Sequence, residues 1–504
     1  VRYWKIIIGP WLKRFIHVIF EKKESLKEIL SHYPNINISS IKIYDDYAPK
    51  DFIEFQNGLN SEEYNLLLYS EILDFLQKDY SYVNKEFVDI WQKEELDNLS
   101  VKSFFNNVIN KLLFYYATKK KIIIYSLFNR KKDELSFFFK NYKLLGLIFR
   151  HLPILKRGNI NSAIRYENIK ISCTDQRHKN FYTLLNRILW KNIPIVHIEN
   201  YQFLKNQLSQ LFSSKTQILA SANGWKSDEK FKIIAANLSE KGCKLVGAQH
   251  GGNTGITSHS YVETHILDVV ERYFIFGSIS SESYPEFRNK IKKIQFPKLI
   301  NTNSNSSNVN SILFLGTSYS NYFCHYRYGP IKNNILSYKQ FQAELIQTLS
   351  NTYKEKIIIR TPGKFDLIDL VNSNRNIEYD NMSKKLEDVV KDANLVIVDN
   401  INTTFTQCLL LNIPTILVIN PKVWNFATDF SQVAKLLEDS GILFYDVNKA
   451  TERAIAITID ESLWFNNIAI HEAIDVYLKK YTSNNNKWEN TWLNELESLL
   501  RSEL

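Results

Sequence analysis

The chain has 504 residues, of which 44% are hydrophobic and 23% charged, and its formal net charge is +10. This composition excludes a largely disordered protein and exceeds what one domain needs, so we expect two domains with additional helices. The positive charge would suit nucleic acid, an anionic membrane or an ordinary solvated lysine-rich surface. Because no arginine-rich stripe or nucleic-acid motif is present, we favour the solvated surface and expect no nucleic-acid partner.

The start of the chain and its cysteines indicate where the protein works. The chain begins at Val1 and its only methionine is Met382, so we expect that residues of a longer protein precede it. Four scattered cysteines form no CxxC pair, as in a reducing compartment. No apolar run reaches the ~18 residues of a membrane span. We expect a cytoplasmic protein, with lysine-rich stretches such as 119–121 and 290–293 favouring peripheral contact with the inner face of the cell membrane.

The N-terminal half begins with an apolar segment that we expect to stop at Gly9-Pro10, followed by helical spacing over residues 13–30. The stretch 31–118 is aromatic-rich and mostly helical in pattern. From residue 120 strands alternate with helices, which predicts a parallel sheet covered on both faces. The predicted strands are 122–128, 169–173, 193–198, 217–220, 244–248 and 273–276, and the predicted helices are 181–190 and 228–240, the latter with Ser227 as N-cap and Gly242 as its stop.

Residues 301–310 are polar and turn-prone and predict a linker, after which the alternation restarts. We expect strands at 311–315, 356–360, 395–398, 415–419 and 442–445, a helix at 333–352, and helical spacing in the tail from 461 to 502. The fold class is therefore α/β, with two Rossmann-like domains facing a cleft. The predicted parts are an N-terminal acceptor-side domain with a helical insertion (1–300), a C-terminal nucleotide-donor domain (311–460) and C-terminal helices (461–504).

The first candidate site is the sequence Gln249-His250-Gly251-Gly252-Asn253, directly after a predicted strand. Ligands of open parallel sheets bind beyond the carboxyl ends of the strands. The glycines let backbone N–H groups approach an anion, and a histidine can exchange a proton near neutral pH. We predict that His250 is catalytic and that Gly251, Gly252 and Asn253 bind substrate. The alternative is a tight turn with a structural histidine.

The second candidate site contains His259, Glu263, His265 and Asp268. His259 and Glu263 would share one face of a helix. The spacing matches no common metal pattern, so we expect no metal here. A carboxylate that activates the acceptor or supports the site, at Glu263 or Asp268, is the favoured interpretation, and a plain polar helix is the alternative.

The third candidate site follows the predicted strand 395–398, where Asn402, Thr403 and Thr404 begin a helix. Free N–H groups and the positive helix end suit a phosphate, and the threonine hydroxyls add donors. The alternative is an ordinary helix cap.

Two further strand ends carry weaker signals. Arg360 could neutralise a diphosphate, or it could be a solvated arginine of a surface turn. Thr317 and Ser318, after Gly316, form a companion loop that we also assign to nucleotide binding.

Three motifs in order along the chain resemble a family of bacterial transferases found with surface-polysaccharide genes. They are Tyr3-Trp4 with Gly9-Pro10-Trp11-Leu12, Gln249-His250-Gly251-Gly252 with Gly255, and Asn402-Thr403-Thr404 with Asn412-Ile413-Pro414-Thr415. The resemblance implies a glycosyltransferase-like (GT-B-like) architecture and a nucleotide-activated donor. Family-like proteins usually carry Glu where this chain has Gln407, and Tyr-Pro after the arginine where it has Thr361-Pro362.

The leading hypothesis is a glycosyltransferase of surface polysaccharide biosynthesis. Its partners would be a nucleotide-sugar donor, held by Arg360, Thr403, Thr404 and Gln407, and a lipid-linked or polysaccharide acceptor, with His250 as base. No Asp-x-Asp motif stands at a strand end, so we expect no cofactor and no obligatory metal. Two alternatives stay open: a phosphopolyol transferase of the CDP-glycerol type, and a catalytically degenerate nucleotide-binding protein.

Overall fold

The computed structural model describes most of the chain. The described residues are 1–43, 47–82, 91, 110, 112–148, 159–172, 175–209, 215–252, 254–257, 261–279, 283–297, 311–326, 329, 334–362, 367–380, 382–424, 426–482 and 487–502. The predicted linker 301–310 lies outside them.

The strands form two six-stranded sheets, in the orders β4-β3-β5-β6-β7-β8 and β11-β10-β9-β12-β13-β14, and a two-stranded sheet β1-β2. Every strand pair with a described register is parallel. The strands are β1 Ser39–Ser40, β2 Ser81–Tyr82, β3 Ile122–Tyr125, β4 Leu145–Ile148, β5 Ile218–Ser221, β6 Lys244–Ala248, β7 Arg272–Ile275, β8 Ile291–Lys293, β9 Ser311–Leu315, β10 Lys356–Arg360, β11 Ile377–Tyr379, β12 Leu395–Val398, β13 Thr415–Val418 and β14 Leu443–Phe444.

Helices surround these strands. In the first part of the chain they are Arg2–Ile7, Gly9–His32, Phe52–Gly58, Glu62–Phe75, Lys131–Lys140, Ser162–Asn168, Lys179–Asn192, Tyr201–Ser209, Gly224–Ser227, Glu229–Glu240 and Tyr261–Val269. Later in the chain they are Ile335–Thr352, Ile368–Asn372, Leu386–Lys391, Thr403–Leu410, Thr428–Asp439, Val447–Ile459, Ser462–Phe465, Ile468–Tyr481 and Trp488–Arg501. Short 3₁₀ segments occupy Gln176–His178, Ile195–His197 and Pro285–Lys290. The parallel strands with intervening helices confirm the predicted α/β class with Rossmann-like alternation.

The chain divides into two compact units. Unit 1 comprises residues 1–247, 265–271 and 320–326, and unit 2 comprises 248–264, 272–319 and 327–504. Within unit 1 the long helix Gly9–His32 buries Trp11 and Phe15 against an aromatic cluster that includes Phe55. Within unit 2 the apolar strands β9, β10, β12 and β13 lie in a continuous core with the helices that flank them.

Two predicted strands were wrong, and one helix begins earlier than expected. The opening segment stops before Gly9-Pro10 as predicted, since its helix ends at Ile7, but the next helix begins at Gly9 rather than at residue 13, because proline at the first helical positions loses no needed N–H group. The expected strand 169–173 is absent over its described residues 169–172, where the side chain of Asn186 pairs with the backbone N–H and C=O of Ile171. The expected strand 193–198 contains the 3₁₀ segment Ile195–His197, and the N–H of Ile195 donates to the carbonyl of Pro49.

The remaining expected elements are present with small shifts at their ends. Strands 244–248, 311–315, 356–360 and 395–398 have the predicted bounds. The helix predicted from residue 228 is capped by Asp228 rather than Ser227, since the Asp228 carboxylate accepts from the N–H of Phe231. It stops at Gly242, which adopts a φ of 81°.

Candidate functional site

The turn that follows β6 is fixed by one buried amide. Gln249 is 3% exposed; its Nε2 donates to the carbonyl of Gly251 at 2.6 Å, and its Oε1 accepts from the N–H of Phe276 at 3.1 Å. Both ends of the amide are therefore used to hold the turn against the end of β7. The next side chain, His250, is exposed. Gln249 therefore holds this turn in place, whereas the His250 side chain lies at the surface of unit 2.

The same turn lies against the helix that begins at Thr403. The N–H of Gly252 donates to Thr403 Oγ1 at 2.9 Å. A Cβ at position 252 would lie 3.0 Å from the Cα and 3.1 Å from the N of Thr403, so glycine permits this close approach of the two backbones. Gly252 of the first predicted site and Thr403 of the third, which are 151 residues apart in sequence, are therefore in contact in unit 2.

The helix Thr403–Leu410 begins with a side-chain cap. Asn402 Oδ1 accepts from the N–H of Thr404 at 2.9 Å, as the sequence alternative of a helix cap predicts. Further along, buried Thr406 shares a hydrogen bond of 2.8 Å with the hydroxyl of Tyr477. The other N–H groups of a helical first turn have no partner within the helix, so capping and anion binding are compatible here.

A buried carboxylate organises the loop after β9. Both oxygens of Asp399 accept from the N–H of Thr317, at 2.9 and 3.1 Å, and one also accepts from the Thr317 hydroxyl at 2.9 Å. Gln342 Nε2 donates to the second oxygen at 2.6 Å. Asp399 is fully buried, and hydrogen bonds from the neutral donors around it stabilise its charge.

Asn400 connects this loop to the helix start. Its Nδ2 donates to Asp399 Oδ1 at 3.1 Å and to the hydroxyl of Thr317. The residue is 4% exposed, and its buried Oδ1 has no hydrogen-bond partner among the residues that the structure describes. Since β9 and β12 are neighbours in register, the loops after their carboxyl ends lie side by side. Ser318, the next residue of the β9 loop, is half-buried.

Glu263 supports the other end of the glycine turn. Its Oε1 accepts from the hydroxyl of Thr254, and its Oε2 accepts from the hydroxyl of Tyr284 at 2.6 Å. Tyr284 has a φ of 56°, a left-handed conformation that a tyrosine adopts only when its surroundings hold it. Both carboxylate oxygens are thus engaged with hydroxyl groups of unit 2, which suits a positioning role.

Arg360 ends β10 but does not extend into solvent. It is 7% exposed, its Nη1 contacts Asp380 Oδ2 at 2.5 Å, and its Nη2 donates to the carbonyl of Lys384 at 2.9 Å. The guanidinium therefore binds other groups of the protein and is not the solvated arginine of a surface turn that the sequence also allowed. Gln407 is half-buried on the helix Thr403–Leu410.

The second candidate site is only partly among the described residues. His259 and Asn253 lie outside the described residues. His265 is 4% exposed in unit 1, where a Cβ on Gly9 would lie 2.7 Å from its Cε1. Burial first, and then the charge of Lys13, lower the pKa of His265 to about 3. Among the described residues no group of three or more His, Cys, Asp or Glu side chains is arranged to hold a metal ion.

The sequence did not single out three residues that hold these loops: Gln249, Asp399 and Gln342. Each is a polar residue buried at or beneath a strand end, and two of them follow strands directly. A polar residue that ends an apolar strand was therefore the available signal for Gln249 and Asp399. Gln342 lies in the middle of a helix, and nothing local distinguishes it.

A family model described as LIC12162 family transferase matches residues 1–496. The chain belongs to this transferase family. The match includes both compact units and every described residue of the loops above. No curated protein sequence matches the chain significantly.

The solved structures that match the chain are remote in sequence. A glycosyltransferase from Rickettsia africae ESF-5 is 11% identical, with a TM-score of 0.42, over 76% of this chain and 100% of that one. MurG from Acinetobacter baumannii is 10% identical, with a TM-score of 0.37, over 75% and 99%. TarM is 13% identical, with a TM-score of 0.39, over 60% of this chain, which spans 58% of the length of TarM.

In the described part of this LIC12162 family member, none of the helices combines the length and the apolar character that crossing a bilayer requires.

Proposed function

We propose that this LIC12162 family transferase moves a glycosyl group from a nucleotide-activated sugar to an acceptor in bacterial surface polysaccharide biosynthesis. The observation that carries the proposal is the hydrogen bond of 2.9 Å between Gly252 and Thr403. It joins a glycine turn bearing an exposed histidine to a helix start, which pairs a proton acceptor with an anion site.

The donor's phosphate groups would lie at the start of the helix Thr403–Leu410. There the positive end of the helix, the N–H groups of its first turn and the hydroxyl of Thr404 favour negative charge. The Thr403 hydroxyl accepts from Gly252 and keeps its own proton for a phosphate oxygen. Thr317, which is held by Asp399, and the next residue, Ser318, would border the same anion. Gln407, one helical turn further on, can hydrogen-bond a ribose hydroxyl without adding charge.

Because Asp380 offsets the charge of its guanidinium, Arg360 would act by keeping the edge of the site in place.

His250 would act as the base. The acceptor hydroxyl oxygen forms a bond to the anomeric carbon while the bond between that carbon and the phosphate oxygen breaks. The nucleotide leaves with the electron pair, and the hydroxyl proton passes to the neutral imidazole. Glu263, whose oxygens are occupied by Thr254 and Tyr284, would position the turn rather than take the proton. The reaction as proposed needs no metal and no cofactor.

The acceptor would be lipid-linked or a polysaccharide, presented at the inner face of the cell membrane. The family assignment is compatible with transfer to such an acceptor but does not select among acceptors.

The test is a screen of the full chain against nucleotide sugars, CDP-glycerol and bare nucleotides, read first as thermal shift and then as nucleotide release. Release from a nucleotide sugar, reduced by ~10²-fold or more in His250→Asn at normal folding, is the expected result. Release from CDP-glycerol alone would replace it with phosphopolyol transfer. Binding of a nucleotide without release from any donor would show a degenerate binding protein.

A further inference from the structure

Four large apolar side chains are exposed on one part of unit 1. Their exposed fractions are between 50% and 65%, which is unusual for a group of neighbouring residues of this kind. They lie in the helical residues 112–117, at the end of the helix Lys131–Lys140 and just after it. They are Leu112, Tyr115, Phe139 and Tyr142.

Contacts among their neighbours show that these segments form one surface. The hydroxyl of Tyr116 donates to the carbonyl of Tyr142 at 2.7 Å, and the Tyr116 ring lies 6.0 Å from that of Phe138. A Cβ on Gly146 would lie 2.5 Å from the Cα of Ala117, so this glycine lets the helical segment approach the edge strand β4 closely. The exposed apolar residues are therefore held together by the fold.

Lysines surround the apolar group. The amine of Lys119 lies 4.1 Å from the centroid of the Tyr115 ring, and that of Lys120 lies 4.0 Å from the Tyr116 ring. Lys120 also donates to the carbonyl of Lys143 at 3.2 Å. We call the four apolar residues together with Lys119, Lys120, Lys121, Lys140 and Lys143 the aromatic–lysine surface.

Acidic groups of the same stretch, residues 112–148, do not offset this charge. Between residues 112 and 148 the only acidic residues are Asp133 and Glu134. Asp133 pairs with Arg130 at 2.6 Å, and Glu134 is buried, where it accepts from the N–H of Leu127 at 2.6 Å. The aromatic–lysine surface therefore carries net positive charge beside exposed apolar groups.

We propose that the aromatic–lysine surface docks on a membrane containing anionic phospholipid. This composition suits a bilayer interface, because tyrosine and phenylalanine can lie at headgroup depth while lysines contact lipid phosphates. A nucleic acid is the less suitable ligand, because the one arginine here is paired with Asp133 and nucleic-acid surfaces depend strongly on arginine. The surface lies at the amino-terminal edge of β3 and β4, whereas ligands of parallel sheets bind at the carboxyl edge. Docking would therefore leave that edge open, and the inference does not depend on the reaction proposed above.

The test is co-sedimentation of the full chain with vesicles of phosphatidylcholine, either pure or with phosphatidylglycerol at about a third of the lipid. We expect binding to the anionic vesicles that weakens with added salt, as screened charges require. The variant Lys119→Gln, Lys120→Gln, Lys121→Gln should lower partitioning roughly tenfold or more. The variant Leu112→Ser, Phe139→Ser should lower it several-fold.

Matched controls change equal numbers of exposed residues elsewhere. They are the double variant Ile164→Ser, Phe203→Ser, whose side chains are 52% and 63% exposed, and the charge-matched triple variant Lys354→Gln, Lys384→Gln, Lys449→Gln. Both should bind vesicles like the unaltered chain. Absence of binding to anionic vesicles, or an equal loss in the controls, would overturn the proposal. Binding of a fluorescent single-stranded oligonucleotide without binding of vesicles would also overturn it. Because all the altered side chains lie on the surface, unchanged melting temperatures will show that folding is intact.

Discussion

Two buried carboxylates, one in each unit, are stabilised in opposite ways. In unit 2 Asp399 accepts from neutral donors, among them Thr317, Gln342 and Asn400. In unit 1 Glu229 is 3% exposed and depends on a charge, since Lys232 Nζ lies 2.8 Å from its Oε2.

The surroundings of Glu229 complete the contrast. His197 Nε2 lies 3.6 Å from the same carboxylate oxygen, and the N–H of Phe52 donates to the other at 3.1 Å. Burial, opposed by Lys232, raises the pKa of Glu229 to about 7. Asp399, which is held by neutral donors, therefore fixes the conformation of a loop. Glu229, which is paired with a buried cation, instead stabilises the interior of unit 1. Changes at Asp399 should therefore affect ligand binding and changes at Glu229 should affect stability alone.

The largest expected effect is on stability, from Glu229→Gln. Above the Glu229 pKa of about 7, where the carboxylate is charged, the substitution leaves the fully buried Lys232 without its counter-charge, so we expect a loss of about 4 kcal/mol in the free energy of unfolding. Chemical denaturation measures it. Adding Lys232→Met in the same chain should restore much of the loss, because neither charge then remains buried. Nucleotide affinity of the folded fraction should not change, and a clear change would break the contrast.

Asp399→Asn should affect both properties. One oxygen becomes an NH₂ group that faces the N–H of Thr317 or the amide of Gln342, so we expect a loss of about 3 kcal/mol in stability. Because the loop carrying Thr317 then moves, nucleotide affinity should fall by roughly tenfold. Titration calorimetry at a temperature where the variant is fully folded separates the two effects. An unaltered affinity would reduce Asp399 to a purely structural residue.

The histidine buried in unit 1 predicts acid sensitivity. The folded-state pKa of His265 is lowered to about 3, chiefly by burial and further by Lys13, against an ordinary value of 6.5. Below 6.5 the unfolded chain takes up a proton that the folded chain does not, so stability present above pH 6.5 is lost as pH falls towards 3. At pH 5 the loss should be about 2 kcal/mol.

The check is the slope of unfolding free energy against pH between 7 and 5. In His265→Gln this slope should decrease, since glutamine does not titrate. His178→Gln, at an exposed histidine, is the matched control and should keep the original slope. An unchanged slope in His265→Gln would mean that His265 does not remain neutral in the folded chain.

The smallest expected effect is at the contact that joins the glycine turn to the helix. Thr403→Val removes the oxygen that accepts from Gly252, so we expect nucleotide affinity to fall about fivefold, equivalent to roughly 1 kcal/mol. Thr403→Ser keeps the oxygen and should bind normally. If serine and valine weaken binding equally, the methyl group rather than the hydroxyl is what matters.

Much of the fold followed from the sequence because the central strands are continuous apolar runs. Strands such as β9 and β12 are buried along their whole length, and such runs between turn residues are the clearest strand signal. The described residues 169–172 and the segment 193–198 have similar composition but form no strand, since tertiary partners decide their backbone hydrogen bonds. The helix Gly9–His32 was expected to begin later, at residue 13, because a proline that ends one segment can also stand in the first turn of the next helix.

The candidate site was predictable in its loops but not in its supports. Glycines and a histidine after one strand, and Asn402 to Thr404 after another, were visible in sequence as strand-end loops. Their approach through Gly252 and Thr403 was not, because it depends on long-range packing between residues 151 positions apart. The engagement of Arg360 by Asp380 was invisible for the same reason.

Hydrogen exchange of the full chain with and without saturating nucleoside diphosphates, resolved to short peptides, tests the central claim most directly. The claim is that the turn 249–252 and the helix start at 402–407 form one nucleotide site. We predict that the same nucleotide slows exchange in both segments together, while the helix Glu229–Glu240 of unit 1 is unaffected. Protection of only one of the two segments, or of neither while nucleotide is bound, would contradict the account.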